Sequence, residues 1–227
     1  MFFHPMDFVI LIAFGLSVWA QFKVKGNFRR YADVPASSGL TGEQAARQLL
    51  DSQGLHDVPI EPVPGALTDH YDPIHRVVRL SEPVYAGHSI SSLSVACHEV
   101  GHAIQHQNAY PFLKFRHRLF PLTRLASGVA PFLLIGGFLF QATNLIGLGI
   151  LFFSVAVLFQ VITLPVEFNA SSRAKALMVS EGFITNEEER GVNKVLNAAA
   201  LTYVAAALIS LLELLKYVMI FTSANDE

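Results

Sequence analysis

The sequence predicts a mainly α-helical membrane protein with four transmembrane helices and a small α/β unit in the cytoplasm. Three observations support this prediction. Only 15 % of the 227 residues are charged, well below the roughly 25 % that is typical of soluble domains. The apolar residues are concentrated in four blocks of about 20 residues, the length that crosses a bilayer as a helix. Nearly all lysines and arginines lie in two of the three segments that separate these blocks.

The four apolar blocks define the expected transmembrane helices. We place them at residues 6–22, 125–140, 145–166 and 196–221. The first is not expected to be a cleaved signal peptide, because no basic residue precedes its apolar core. The second and third are joined by only four residues, QATN, so they form a hairpin. The hairpin places the two flanking polar segments on the same side of the membrane.

The distribution of basic residues predicts which side that is. Segments 23–124 and 167–195 contain fifteen of the sixteen lysines and arginines. Because cytoplasmic loops carry the excess of basic residues, we expect both segments in the cytoplasm and both termini outside. The exception is Lys216, which we expect to lie near a helix end together with Glu213. The formal net charge of −2 gives no indication of nucleic-acid binding.

The first polar segment is expected to form a small α/β unit. Thr41 and Gln44 form a capping box before an amphipathic helix. The stretch VPIEPV, residues 58–63, predicts an edge strand protected by prolines. Two further short strands are expected after it, and RVVRLS, residues 76–81, has the clearer strand pattern of the two. Serines then precede a helix that ends near Asn108.

That last helix contains a metal-binding pattern, HEVGH. His98 and His102 are four residues apart, so both imidazoles leave one face of the helix and can share a zinc ion. Glu99 adjoins His98 and can act as the general base that activates water, as in the His-Glu-x-x-His helices of zinc peptidases. Gly101 is small enough to let another segment approach closely.

Cys97, the single cysteine, excludes an intrachain disulfide. On a helix its side chain points about 100° away from that of His98. We therefore expect a small buried apolar residue rather than a metal ligand.

A catalytic zinc site needs a third protein ligand and an open position. We expect Glu167, in LPVEFNASSRAKAL, because it emerges from the third apolar block on the side already assigned to the His98 helix. Outer-shell partners are expected within two turns of it, at Asn169, Ser171 or Arg173. The rival third ligands are His88, His106, His117 and the run 187–189.

Two further features of the reaction concern how a substrate is held and how the oxyanion is stabilised. RVVRLS has a possible free edge along which an extended substrate could pair. A neutral or cationic donor should stabilise the oxyanion. The candidates are His75, His88, Arg173 and Tyr203.

Three stretches together resemble a known family. They are YDPIHRVVRLSEPVYAGHSISSLSVACHEVGHAIQHQ, LPVEFNASSRA and VLNAAALTYVAAAL, and they are similar to the bacterial membrane-bound zinc metallopeptidases of the YugP type. The resemblance implies a gluzincin-like unit in the bacterial cytoplasmic membrane, with His98, His102 and Glu167 on zinc and Glu99 as base. HtpX- and Ste24-type proteases are more distantly similar and carry an aspartate where this chain has Ser171.

The expected function is that of a zinc-dependent endopeptidase acting on membrane proteins or their cytoplasmic segments. Its expected partners are the lipid bilayer and a peptide or protein substrate, with no nucleic acid. The alternative is a non-catalytic membrane scaffold or chaperone that retains a zinc site, but such a protein would most simply have lost Glu99 or a ligand. A small transporter would need polar residues inside the membrane helices. These contain few beyond Thr202, Tyr203 and Glu213.

Overall fold

The computed structural model describes residues 5–225, and it is mainly helical. Within these residues the elements follow in the order α1 (Pro5–Ala32), α2 (Gly42–Ser52), β1 (Ile60–Val63), β2 (His70–Asp72), β3 (Val77–Ser81), α3 (Glu82–Tyr85), α4 (Ile90–Gln107), α5 (Pro111–Leu139), α6 (Thr143–Ser180) and α7 (Glu189–Asn225).

Four of the helices, α1, α5, α6 and α7, are long and apolar enough to cross a membrane. Each extends beyond the apolar block expected within it. With 38 residues, α6 is about 57 Å long at 1.5 Å per residue, whereas the hydrocarbon core of a bilayer is about 30 Å thick. The helix can therefore cross a bilayer and still continue into a water-exposed segment. Which residues of each helix lie in the membrane stays a prediction.

The chain forms two compact units. The first contains residues up to 20, residues 114–165 and residues from 202 onward; the second contains residues 21–113 and 166–201. The described residues of the first unit are helical apart from the turn at 140–142. The second holds the sheet, the helices α2 to α4, the first turn of α5 and portions of α1, α6 and α7.

In the first unit, α5 and α6 approach closely at their connecting turn. A Cβ atom on Gly137 would lie 2.8 Å from the backbone nitrogen of Ile146. Lys216 of α7 forms its ion pair with Asp7 of α1. The spacing of Lys216 and Glu213 within one helix could not indicate this partner, because Asp7 is 209 residues away in the sequence.

The second unit contains a three-stranded sheet in the order β1–β3–β2. β1 is parallel to β3, and β2 is antiparallel to it. The capping box of α2 and the proline-containing edge strand β1 are present as predicted. The expected free edge of RVVRLS was wrong. β3 is the central strand, because β1 occupies one of its edges and β2 the other.

One hydrophobic core holds the second unit together. It joins side chains of α2, β3 and α4 to the C-terminal part of α6 and the start of α7. Leu50, Leu80 and Leu93 are fully buried in it, as are Val100 and Met178. Burying a leucine is worth about 1.5–3 kcal/mol, so this core fixes the position of α4 against α6. That contact carries the candidate site.

Candidate metal centre

Helix α4 presents the histidines of the HEVGH pattern. Ser89 caps its N-terminus by accepting a hydrogen bond from Ser92 N at 3.1 Å, and Asn108 is its C-cap, in agreement with the prediction. Thirteen of its 18 residues are buried. A helix buried to this extent has its side chains held by packing on more than one side, which suits a preorganised site.

Helices α4 and α6 approach closely at Gly101. A Cβ atom on this residue would lie 2.7 Å from the carbonyl oxygen of Ala170, closer than van der Waals contact allows. The prediction that Gly101 gives room to another segment is confirmed. Side chains on either side of this contact face one another across the two helices.

Three of these side chains bring potential metal ligands together. The carboxylate Oε2 of Glu167 is 3.4 Å from His98 Nε2 and 3.6 Å from His102 Nε2. The side chain of Glu167 is only 3 % exposed, that of His98 is 14 % exposed and that of His102 is 12 % exposed. Their ligand atoms all lie within 4.8 Å of one another, so this group could hold a metal ion.

The chemistry and spacing of the group fit zinc. Two imidazole nitrogens and one carboxylate oxygen form a ligand set that zinc uses in catalytic sites, with the fourth position left open. Tetrahedral zinc with bonds of about 2.0–2.2 Å places neighbouring ligand atoms about 3.3–3.6 Å apart. The separations of Glu167 Oε2 from the two histidine nitrogens, 3.4 and 3.6 Å, match that range.

The imidazole of His102 is oriented by Gln105. Its Nδ1 is 3.0 Å from Gln105 Oε1, while Gln105 Nε2 donates to the carbonyl oxygen of Val166 at 2.8 Å. Because a carbonyl only accepts, this second bond fixes which way the amide of Gln105 points. His102 Nδ1 therefore donates, and the lone pair of the neutral ring is on Nε2, the nitrogen that faces Glu167.

The network continues onto α6. Asn169 Oδ1 accepts hydrogen bonds from Gln105 Nε2 at 3.0 Å and from Arg173 Nε at 2.8 Å. The hydroxyl of Ser171 is 3.1 Å from His98 Nδ1. All three residues expected as outer-shell partners therefore belong to this network. Gln105 was missed, although its position three residues after His102 places both on one helix face.

The charges around His102 act on its ionisation. Burial opposes the charged ring, but the adjacent carboxylate of Glu167 and the negative charge of Glu99 raise the pKa of His102 above its usual value. Glu99 is itself buried, with 8 % of its surface exposed. The negative charge of Glu99 thus lies close enough to act on the metal-competent group.

The other residues that the sequence offered as possible metal ligands are not part of the metal-competent group. Cys97 is fully buried in the hydrophobic core, where burial raises the pKa of its thiol to about 12. His106 is one turn beyond His102, and its Nδ1 is 2.9 Å from the hydroxyl of Tyr71. Glu188 accepts hydrogen bonds from Ser37 and Thr185. Among the described residues, the metal-competent group contains none of the rival ligands, which were His88, His106, His117 and the run 187–189.

The four candidate oxyanion donors have different surroundings. Arg173 belongs to the hydrogen-bond network of the metal-competent group. His75 is exposed and bonds to Asp72 in the turn between β2 and β3. The backbone carbonyl of His88 accepts a hydrogen bond from Ala36, and Tyr203 belongs to the first unit.

Comparison with known proteins places the chain in a family. Residues 6–222 match the sequence profile of the family described as "Putative neutral zinc metallopeptidase". The "Putative membrane protease YugP" of Bacillus subtilis (strain 168) is 67 % identical over 220 residues, which cover 97 % of this chain and 98 % of the relative. No solved structure gives a significant match. The resemblance predicted from the motifs is confirmed, and the chain belongs to this family of neutral zinc metallopeptidases.

Proposed function

We propose that the chain is a membrane-embedded zinc endopeptidase that hydrolyses peptide bonds in membrane proteins or in their cytoplasmic segments. The observation that carries this proposal is the convergence of His98, His102 and Glu167 beside Glu99 in a chain of this family. Two histidines and a glutamate as ligands make the site gluzincin-like. When bound, zinc supplies Lewis acidity, which polarises the scissile carbonyl and makes a water molecule nucleophilic at neutral pH.

Glu99 has the position and chemistry of the general base. It follows the ligand His98 directly on α4 and is not one of the three residues whose ligand atoms converge, so its carboxylate is left to act on a water molecule. It accepts a proton from the attacking water as the new C–O bond forms. It then donates that proton to the leaving amine as the C–N bond breaks. One residue thus serves both proton transfers, and the carboxylate is regenerated.

The residues around the ligands act as positioning residues. Gln105 holds His102 in the tautomer that presents Nε2, and Ser171 contacts Nδ1 of His98. Asn169 and Arg173 extend this network along α6. Such partners fix ring orientation and raise ligand basicity. The network therefore supports the proposal that the ligands are preorganised for a metal.

We further propose that the site faces the cytoplasm and that both termini lie outside. The concentration of fifteen of the sixteen lysines and arginines in segments 23–124 and 167–195 supports this orientation. Helix α6 has its apolar stretch directly before Glu167. This arrangement suits a site that acts close to the membrane surface.

The test is to purify the chain in detergent, measure zinc per chain, and assay cleavage of casein and of membrane proteins. We expect one zinc per chain and cleavage by the wild type, with Glu99→Gln retaining zinc and losing nearly all activity. Glu187→Gln, at an exposed position, is the matched control and should behave as wild type. Activity that survives Glu99→Gln contradicts the mechanism. Full zinc loading with no cleavage by the wild type supports the scaffold alternative.

A further inference from the structure

A partly open cavity of about 220 Å³ lies beside the C-terminal half of α4. It is lined by Tyr71, Arg76, Ala103, His106 and Gln107. None of these residues is a ligand of the proposed zinc site.

One residue of the cavity lining, His106, lies one helical turn from the metal-competent group. His106 follows His102 by four residues, so their Cα atoms are about 6 Å apart along the helix axis. An extended peptide advances about 3.3 Å per residue. A group bound beside His106 would therefore be about two residues away from a peptide bond held at the ligands. The hydroxyl of Tyr71 lies 2.9 Å from His106 Nδ1, so these two lining side chains hold each other in place.

The cavity favours a negatively charged group. Among the described residues that line it, Arg76 carries the charge and none is acidic. Arg76 Nη1 is 3.1 Å from Asp57 Oδ2, but both side chains are more than half exposed, and such surface pairs are weak. A guanidinium has five N–H donors. Arg76 can therefore bind a second carboxylate in addition to that of Asp57, or release Asp57 and bind another carboxylate in its place.

The turn that carries Arg76 does not require an arginine. Asp72 Oδ1 accepts hydrogen bonds from the backbone nitrogens of Ile74 and His75 and so forms the turn by itself. Arg76 then has φ +53°, in the left-handed region that glycine adopts without strain. An arginine is therefore not the residue that this backbone conformation favours, and the local fold alone does not account for it.

We propose that this cavity is a subsite that binds a carboxylate of the peptide substrate through Arg76, about two residues from the scissile bond. The proposal rests on the proposed peptidase function for its substrate, but the binding itself does not require zinc. The carboxylate can come from an acidic side chain or from the C-terminus of the peptide, and the experiment separates these two sources.

Binding is measured with the full chain in detergent, in the Glu99→Gln background so that peptides are not cleaved, both with zinc and after chelation. Fluorescein-labelled peptides of one sequence are compared by anisotropy in three forms. The first form is a set of peptides with one glutamate, placed at a different position in each peptide, and an amidated C-terminus. The second form has glutamine in place of the glutamate and a free C-terminus. The third form has glutamine and an amidated C-terminus, so it carries neither carboxylate. We expect at least one carboxylate-bearing form to bind about tenfold more tightly than the neutral form, with zinc or without it.

The variants identify the residue responsible. Arg76→Gly should remove this preference and leave the thermal midpoint of the chain equal or higher, because glycine suits the left-handed backbone. Arg76→Lys keeps the charge without the planar fork and should retain part of the preference. Arg190→Gln, which removes an exposed positive charge from α7, should retain all of it. The same preference in Arg76→Gly as in its parent overturns the proposal, and so does equal binding of all three peptides by the parent.

Cleavage by the chain with Glu99 intact separates the two proposals. Mass spectrometry of the products should place the cleaved bond about two residues from the preferred carboxylate. Preferential binding without any cleavage would leave the subsite standing and contradict the peptidase. Cleavage with no carboxylate preference would leave the peptidase standing and contradict the subsite.

Discussion

Gly101 of α4 lies directly against the backbone of Ala170 of α6. The contact sits between the potential ligands that each helix contributes. On α4, His98 and His102 flank Gly101, and on α6 Glu167 precedes Ala170 by three residues. The distance between the helices therefore sets the distance between the histidine nitrogens and the carboxylate. A glycine that allows close packing is thus also a determinant of ligand geometry.

The first prediction concerns this contact. Gly101→Ala places a methyl group 2.7 Å from the carbonyl oxygen of Ala170. Because this oxygen belongs to the backbone and cannot move away by a side-chain rotation, the two helices must separate. We expect a loss of about 1–3 kcal/mol in stability and a weaker zinc affinity. Thermal unfolding in detergent and competition with a chelating zinc indicator measure the two effects. Gly26→Ala is the control, since no atom lies within 4 Å of its added Cβ; equal effects of both variants would contradict the argument.

The second prediction concerns the ligands. Glu167→Gln preserves size and removes the charge and the anionic ligand, so we expect zinc affinity to fall by more than the roughly 10–100-fold typical of outer-shell changes. Zinc content after dialysis against a buffered metal measures this. Glu181→Gln, at an exposed position near the end of α6, is the control. Retention of zinc at wild-type stoichiometry by Glu167→Gln would show that another residue is the third ligand.

Local signals in the sequence account for much of this site. The caps of α4 at Ser89 and Asn108, and the four-residue spacing of His98 and His102, depend only on near neighbours in the chain. Such features follow from helix geometry. Glu167 is 65 residues after His102, and it was indicated by the distribution of basic residues rather than by spacing. Its proximity to both histidines agrees with that expectation.

Contacts between distant segments were the part that the sequence could not supply. The order β1–β3–β2 depends on which edge of β3 the returning chain occupies, and the hydrophobic pattern of a central strand does not specify this. The pairing of Lys216 with Asp7 likewise joins two helices from opposite ends of the chain. Gln105 could have been expected near His102, but its bond to the carbonyl of Val166 required α6 to be in place.

The third prediction concerns Ser171, whose hydroxyl is 3.1 Å from His98 Nδ1. Ser171→Ala removes this partner without disturbing a helix, and we expect zinc affinity to fall about tenfold. Ser171→Asp offers a carboxylate, which makes His98 a stronger ligand, and it should bind zinc at least as tightly as wild type. Ser172→Ala is the adjacent control. Unchanged affinity in Ser171→Ala would mean that the packing of α4 alone orients His98.

The fourth prediction concerns acid stability and a group remote from the metal-competent site. Asp72 Oδ2 is 2.6 Å from His75 Nδ1 and 2.8 Å from Arg79 Nη1. The hydrogen bond from His75, followed by that from Arg79, lowers the pKa of Asp72 below its ordinary value of 3.8. A group whose pKa is lowered by folding stabilises the folded state above its unfolded pKa, and that stabilisation is lost as pH falls below it.

Asp72→Asn should therefore unfold at a lower temperature than wild type at pH 5 to 7, and the difference should shrink as pH falls below about 3.8. Thermal midpoints in detergent, measured across this pH range, follow the difference. Asp33→Asn, at an exposed carboxylate, is the control and should stay close to wild type throughout. A difference for Asp72→Asn that is constant down to pH 3 would show that its side chain acts through the turn it forms with Ile74 and His75 and not through its charge.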